Sequence, residues 1–324
     1  MNSKIFIVIV NFKTADLVMQ CLTSINYQKN ALNGGKVIVV DNNSQDYSVE
    51  NLTNYVQLNH AEAWVDIVPM PRNGGFAYGC NAGINHALAV DDATNYVMLL
   101  NPDTLVRTDA IASLSNFMDA NPLVGIAGSQ LENSEGGIEN SAHRFHSLIG
   151  ELLDGARLGI LSRLFSKFET TPTLSAENYQ CDWVSGASMM IRCQLVNDIG
   201  LLDEKFFLYF EEVDFFKRAA KAGWQTWYVR AAKVMHIEGA ATNIKSAKRR
   251  PRYWYDSRRR YFIKHHGVLS LICADILWGL GRLSYVLRRA CKLGGQGANT
   301  DPKLLAWDLL AGDVKAIATG QISI

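Results

Sequence analysis

Residues 96–103, Tyr-Val-Met-Leu-Leu-Asn-Pro-Asp, constrain the fold more than any other stretch of this 324-residue chain. Five apolar or aromatic residues in a row predict a strand buried on both faces, the usual state in a parallel sheet. Pro102 cannot donate to a sheet ladder and biases Asn101 towards an extended conformation, so the run stops there. Asp103 is then held just past the carboxyl end of a central strand, the edge at which open α/β sheets bind ligands. A carboxylate in that place suits a hard divalent cation carrying a diphosphate. It equally suits a turn or helix N-cap, and this stretch alone leaves both open.

The length gives room for one large α/β domain or one and a half smaller ones. A net charge of +1 argues against a general nucleic-acid binder. The apolar run at residues 5–10 is too short for a signal peptide and has no small-residue cleavage site after it. The cysteines (21, 80, 181, 193, 273 and 291) show no Cys-x-x-Cys spacing, as expected of reduced thiols in a cytoplasmic protein.

Residues 5–10 predict a first strand in mid-sheet. Thr14 is the expected N-cap of a helix with Leu17, Val18, Cys21, Leu22 and Ile25 on one face. A Gly34-Gly35 turn leads into a strand at 36–40 that ends at Asp41-Asn42-Asn43-Ser44. Strand, helix and strand of this length form a βαβ unit with a right-handed crossover. Asp41 can accept from a nucleobase imide or a ribose hydroxyl, or it can close a turn. A third strand is expected at 64–70. The Arg72-Asn73-Gly74-Gly75-Phe76 turn then enters a helix reaching about Val90, and such turns can present N–H groups to phosphate. Gly75, Gly79 and Gly83 lie four apart, which marks a helix face packed closely on a neighbour and is not a dinucleotide fingerprint. Thr108 is the expected cap of a helix that ends at Asn121-Pro122, and a strand follows at 123–128. Residues 131–180 are less regular, with an amphipathic piece near 148–166. They read as surface loops and an insertion on the acceptor side.

Order returns at 181–192, Cys-Asp-Trp-Val-Ser-Gly-Ala-Ser-Met-Met-Ile-Arg. The aromatic run Phe207-Leu208-Tyr209-Phe210 then ends in Glu211-Glu212-Val213-Asp214, three carboxylates within four residues. Like charges this close raise at least one pKa, and neighbouring aromatics add desolvation. A base tuned in that way suits deprotonation of a hydroxyl. The alternative is a solvated acidic helix start favoured by the helix dipole. Asp214 and Arg218 are i,i+4 partners, so Asp214 reads as structural and Glu212 as the better candidate for chemistry. Gly223 ends this helix, and a strand is expected at 226–230. His236 follows the apolar pair Val234-Met235, where a lone histidine is more often a core residue than a ligand, unless it reaches Asp103.

In order and spacing these motifs resemble the inverting glycosyltransferases of family 2, which have a GT-A fold. The likeness rests on Val8-Ile9-Val10-Asn11, Val40-Asp41-Asn42-Asn43-Ser44, Asn73-Gly74-Gly75-Phe76 and Asn101-Pro102-Asp103. It continues through Val184-Ser185-Gly186-Ala187, Phe207 to Asp214, Arg218 and His236, and covers roughly residues 4–265. Within the family the chain is most similar to bacterial rhamnosyltransferases of cell-wall and O-antigen (lipopolysaccharide) assembly. The resemblance implies an α/β catalytic domain over 1–244, with a central, mostly parallel sheet flanked by helices. Its nucleotide-sugar half spans about 1–128 and its acceptor half about 129–244, with a helical C-terminal region at 245–324.

Roles follow from the resemblance, residue by residue. Asp41 contacts the nucleobase and Asn101 the ribose side, with Asn11, Asn73 and Gly74 in the nucleotide-sugar pocket. Asp103 binds the metal, Mg²⁺ or Mn²⁺, with His236 as a second ligand. Glu212 is the catalytic base, with Glu211 beside it, and Trp183, Gly186 and Asp214 lie on the acceptor side. The implied donor is a nucleotide-diphospho-sugar, dTDP-L-rhamnose foremost, and the acceptor a glycan or a polyprenyl-diphosphate-linked sugar. The chain departs from the family in reading Asn-Pro-Asp where relatives carry Asp-x-Asp, and Glu211-Glu212 where relatives often carry Glu-Asp.

Two rival classes are a nicotinamide-dependent oxidoreductase and a nucleotide-sugar-binding protein without turnover. The first needs Gly-x-Gly-x-x-Gly after the first strand, where this chain has Asn11-Phe12-Lys13-Thr14. The second is opposed by the retention of Asp103, Glu212 and His236. Nine Lys or Arg lie between Lys245 and Lys264 against the single acid Asp256, interleaved with Tyr253, Trp254, Tyr255, Tyr261 and Phe262. This composition suits an anionic headgroup region; it equally suits single-stranded nucleic acid or a solvated basic face, and the near-neutral chain and the enzyme motifs favour the membrane surface. Residues 268–287 are apolar but interrupted by Asp275 and Arg282, which predicts an interfacial amphipathic helix in place of a spanning one. The expectation is a peripheral protein on the cytoplasmic leaflet of the cell membrane.

Overall fold

The computed structural model describes residues 3–91, 93–173, 175–237, 248–291 and 301–320. The chain divides into two compact units, one of Met1–His143, Thr173–Phe207 and Glu211–Thr242, the other of Arg144–Pro172, Leu208–Phe210 and Asn243–Ile324.

In the first unit, β1 (Ile5–Asn11), β2 (Val37–Asp41), β3 (Val65–Pro69) and β4 (Tyr96–Leu100) are parallel in the order β3-β2-β1-β4. Every residue of β1, β2 and β4 is buried, as unbroken apolar runs require of strands covered on both faces. Helices α1 (Ala15–Asn26), α2 (Ser48–Leu58) and α3 (Phe76–Val90) connect them. The two inner glycines of α3 explain its seat: a Cβ on Gly79 would lie 2.6 Å from Val10 and one on Gly83 2.3 Å from Val8, so the helix backbone lies directly on β1.

Beyond β4 come β5 (Thr104–Val106), α4 (Ala110–Ala120), β6 (Val124–Glu132), β7 (Ile138–Glu139) and β8 (Ala142–His143). The chain then enters the second unit with α5 (Leu148–Ala156) and α6 (Gly159–Leu164). It returns with β9 (Tyr179–Cys181), β10 (Trp183–Val184), β11 (Ser188–Arg192), α7 (Cys193–Ile199), α8 (Glu211–Lys221) and β12 (Gln225–His236). The sheet is parallel through its first four strands and mixed beyond them. β11 inserts antiparallel between β4 and β6, and β12 runs parallel to β6 and antiparallel to β5 and β9. β10 and β8 make a separate two-stranded ribbon.

Two local expectations differ from the structure. Asp109, in a left-handed conformation with φ 62°, takes the cap position of α4 in place of Thr108. The strand expected at 226–230 runs on to His236, because an irregularity between Val229 and Lys233 shifts its register on β6 and lets pairing resume. Thr14 does occupy the cap position of α1, but its hydroxyl donates to Asn11 Oδ1 at 2.9 Å.

The second unit adds α9 (Arg252–His266), α10 (Val268–Ala290) and α11 (Leu305–Ala318) to α5 and α6. Of residues 131–180, expected as surface loops and an acceptor-side insertion, Arg144–Pro172 group here. Their helix α5 lies backbone to backbone on α10, where a Cβ at Gly155 would meet the Trp278 carbonyl at 2.3 Å and one at Gly281 the Leu152 carbonyl at 2.6 Å. Arg258 is the second tie. It is buried, with Nη2 donating to Glu151 at 2.7 Å and Nη1 to Asp275 at 2.9 Å and Asp313 at 3.4 Å, so one guanidinium joins α9 to α5, α10 and α11. Arg259 adds a bond to Asp313 at 2.6 Å. Burial alone would raise the Glu151 carboxyl, but Arg258 and His146 outweigh it and hold it at about 2.

Much of the basic run therefore serves the fold. Arg249, Arg252, Arg258 and Arg259 all form ion pairs with carboxylates of this unit, while Lys245 lies outside the described residues. The helix predicted at 268–287 extends to Ala290. It buries Leu271, Ala274, Asp275, Trp278 and Gly281 and exposes Leu269, Ile276, Leu280, Leu283 and Leu287. By length and composition α10 is also apolar enough to cross a membrane. Tyr209 and Phe210 take left-handed φ values of 69° and 66°, which is strained for aromatic residues. Their rings sit on Tyr253 and Trp254.

Candidate active site

The register of the parallel strands sets Asn11 beside Asp41 at the carboxyl ends of β1 and β2. Both are buried, so their polar atoms need partners. Asn11 Nδ2 donates to Asp41 Oδ1 at 2.7 Å and to Ser44 Oγ at 3.2 Å, while its Oδ1 accepts from the Thr14 N–H and hydroxyl. Asp41 also accepts from the Ser44 hydroxyl at 2.6 Å and the Ser44 N–H at 3.0 Å. Asn11 thus braces the Asp41 turn with its whole carboxamide, and Asp41 Oδ2, bonded to the Ser44 N–H, is the carboxylate oxygen with more capacity left for a further donor. Asn42 carries the brace onward. Its Nδ2 donates to Asn73 Oδ1 at 3.0 Å and to the Gly75 carbonyl at 2.9 Å, and Asn73 Oδ1 accepts from the Gly75 N–H. The 41–44 and 73–76 turns therefore form one wall. Gly75, at φ 92°, passes so close to Phe207 that a Cβ would lie 2.1 Å from its carbonyl oxygen. The Phe76 N–H donates to that same carbonyl.

Asp103 stands where the chain leaves β4, 3% exposed. Its carbonyl accepts from the Ile237 N–H, which ties it to the end of β12. His236 consequently faces it, with Nε2 3.4 Å from Asp103 Oδ1. A buried carboxylate oxygen and an imidazole nitrogen fit two positions around Mg²⁺ or Mn²⁺, with a diphosphate and water left to fill the rest. No group of three or more His, Cys, Asp or Glu placed to hold a metal occurs among the described residues.

The antiparallel entry of β11 brings the third part. Ser188 pairs with Leu100, and the Asn101 N–H donates to the Ala187 carbonyl at 2.9 Å, so Gly186 lies across from the Asn101-Pro102-Asp103 turn. A Cβ on Gly186 would stand 3.9 Å from the Phe76 ring and 4.0 Å from Glu212, which places Glu212 next to this edge. Glu211 points into the protein, 3% exposed, while Glu212 is half-buried. Burial and the adjacent Glu212 charge push the Glu211 carboxyl well above the usual range, and the two carboxyls share a hydrogen bond. Burial, with both glutamates nearby, likewise pushes up the Cys80 thiol of α3. Burial thus favours the protonated form of Glu211, and the half-buried Glu212 is the member of the pair that lies at the Gly186 edge.

The structure thus gathers Asp103, His236, Asn101, Gly186, Glu212 and Phe76 at one sheet edge. Asn11, Asp41, Asn73 and Gly74 lie along the adjoining wall. Asp214 is fully buried and bound to Arg218 at 2.9 Å, while Arg218 also caps the Ile199 and Leu201 carbonyls. Its role is to anchor α8, which carries Glu212. Trp183 stacks on His143 with ring centroids 4.2 Å apart. His143 and the Gly75–Phe207 clip escape the sequence reading, since His143 lies in a stretch without periodicity. A glycine at 75 was visible, but its contact 132 residues away was not.

A parallel 3-2-1-4 half-sheet, joined to a mixed half whose strands place a carboxylate and a histidine at its edge, defines the GT-A class of nucleotide-sugar-binding folds. Residues 6–200 match the family described as Glycosyl transferase family 2, and the chain belongs to that family. It is similar to N-acetylglucosaminyl-diphospho-decaprenol L-rhamnosyltransferase of Mycobacterium tuberculosis, 28% identical over 158 residues, which is 47% of this chain and 49% of that protein. The chain thus spans about half the length of that curated relative. Rhamnosyltransferase WbbL of Escherichia coli K12 is 20% identical over 72% of this chain and 83% of its own. Among solved structures, the Pyrobaculum calidifontis mannosyltransferase PcManGT in complex with GDP-Man and Mn²⁺ shares the fold with a TM-score of 0.54. It is 13% identical, covering 97% of this chain and 80% of that one.

Proposed function

We propose that this chain is an inverting glycosyltransferase that moves L-rhamnose from dTDP-rhamnose to a polyprenyl-diphosphate-linked sugar or glycan of the cell surface. The observation that carries this reading is the convergence of Asp103 with His236 and of Glu212 with Gly186 on one sheet edge. Glu212 takes the proton of the acceptor hydroxyl, whose oxygen attacks the anomeric carbon as the bond to the nucleotide diphosphate breaks. A single displacement of this kind inverts the anomeric centre. Glu211 keeps its own proton and supports Glu212 through their shared hydrogen bond. Bound at Asp103 and His236, Mg²⁺ or Mn²⁺ would offset charge on the departing diphosphate. Asp41 holds the base and Asn101 the ribose side, with the Asn73 turn beside them. The names of the two rhamnosyltransferase relatives support rhamnose as the sugar, and the mycobacterial name supports a lipid-diphosphate acceptor.

We place the protein on the cytoplasmic leaflet as a peripheral protein. The exposed apolar face of α10 and the exposed Trp307 and Val314 of α11 support this more than the basic run does, because so many of those cations are paired internally. Incubation with dTDP-rhamnose, Mn²⁺ and a short-chain polyprenyl-diphospho-N-acetylglucosamine tests the function, with release of dTDP and a heavier lipid product expected. Nucleotide-sugar binding without turnover on any acceptor or water would instead favour the non-catalytic binding protein. Flotation with liposomes tests the location: the full chain should rise with them, and Ile276→Asp with Leu283→Asp should remain at the bottom.

A further inference from the structure

The second unit encloses a cavity of about 390 Å³ lined by four arginines, 157, 250, 258 and 282, among Trp254 and Trp278. Their charges are not equally matched. Arg258 is matched by Glu151, Asp275 and Asp313. Arg157 and Arg282 share a single carboxylate, with Asp301 Oδ1 at 2.7 Å from the one and Oδ2 at 2.8 Å from the other. Arg250 forms no ion pair among the described residues and instead stacks 4.1 Å over the Trp254 ring. Arg282 is largely buried, and its Nη1 has no hydrogen-bond partner among the described residues. Asp154 also lines the cavity, and burial and the Glu151 charge push its carboxyl up to about 6.

A buried guanidinium N–H without a partner is costly, and an arginine fork recognises phosphate oxygens in pairs. An anion entering here would match Arg250 and complete Arg282, while Leu153, Leu305 and Leu309 on the same wall offer apolar surface beside it. We propose that this cavity binds the diphosphate group of a polyprenyl-type lipid through Arg250 and Arg282, and so recognises the acceptor's anchor apart from its sugar. The proposal rests on the lipid-linked acceptor of the proposed function. Its chemistry, a diphosphate, could also come from free pyrophosphate or from a nucleotide, and the test separates these sources.

The test is quenching of tryptophan fluorescence in the full chain, in EDTA so that metal-assisted nucleotide binding is silent, with farnesyl diphosphate, inorganic pyrophosphate and dTDP titrated separately. Farnesyl diphosphate is expected to bind at least tenfold more tightly than pyrophosphate or dTDP. Arg250→Gln, which breaks no ion pair, should weaken it about tenfold, Arg250→Lys less, and Asp103→Ala not at all. Arg282→Gln should match Arg250→Gln if its circular dichroism and melting are those of the parent; if it fails to fold, Arg250→Gln decides. Unchanged affinity in Arg250→Gln overturns the site. Pyrophosphate binding as tightly as farnesyl diphosphate overturns the lipid, and loss of binding in Asp103→Ala assigns the anion to the donor site instead. Arginine-dependent lipid binding in a protein that transfers no sugar would refute the transferase alone.

Discussion

The paired glutamates give the sharpest test of the chemistry. Glu211 is buried and its carboxyl lies well above the usual range, raised first by desolvation and then by Glu212. Burial thus favours its protonated form, whose shape and hydrogen-bond donor glutamine reproduces. Glu211→Gln should keep turnover within about tenfold. Glu212→Gln removes the carboxylate proposed as the base, and general-base assistance contributes ~10²–10⁴ in rate, or about 3–5 kcal/mol of barrier. The assay is dTDP release under saturating donor and acceptor, with donor affinity from calorimetry to show that binding survives. Stability gives a second readout. A carboxyl whose folded pKa is raised stabilises the fold below its unfolded value near 4.5, and that contribution is lost as pH rises towards the folded value. The melting temperature of the parent should thus fall on the alkaline side, and Glu211→Gln should flatten that slope. An inactive Glu211→Gln beside an active Glu212→Gln would refute the reasoning and exchange the two roles.

Further expectations follow from other contacts. Asp103→Ala should abolish the Mn²⁺-stimulated part of dTDP-rhamnose binding measured with and without the metal, while metal-free affinity changes little. Arg258→Met strands Glu151, Asp275 and Asp313 without their shared cation and should destabilise the protein by about 3–5 kcal/mol in urea titration. Glu151, held at about 2, contributes stability that is present above its unfolded value near 4.5 and is lost as pH falls towards 2. Glu151→Gln should therefore remove part of the acid-unfolding slope seen by circular dichroism. Gly75→Ala puts a methyl group 2.1 Å from the Phe207 carbonyl at a φ of 92° and should cost about 2 kcal/mol or more by chemical denaturation, with weaker donor binding.

The parallel half of the sheet is legible because each of its inner strands is an unbroken apolar run ending in a polar turn, and such runs have one natural home. Asp41 and Asp103 could be placed at strand ends for the same reason. The second half is not legible, since β11 reaches β4 only after a long excursion and its pairing is decided by contacts far apart in sequence. Glu212 reads as the better candidate of its pair from local charge and aromatics, but the inward aim of Glu211 depends on the seat of α8, which Asp214 and Arg218 fix. The basic run misleads most. Lys and Arg beside aromatics look like a headgroup surface until α5, α10 and α11 supply the carboxylates that pair with three of them, Arg249, Arg258 and Arg259.

Tyr209 and Phe210 narrow what the chain can tolerate just ahead of Glu211. Their backbone lies where glycine alone is at ease, yet their rings are packed, Tyr209 on Tyr253 and Phe210 on His146, Trp254 and Tyr261. Glycine at either position would relax the backbone and empty the ring's place, and any smaller side chain would keep the strain and lose the packing as well. Neither position has an easy neighbouring sequence. Two consecutive aromatic residues are thereby pinned by opposing demands, and drift in this part of the chain must change the rings around them first.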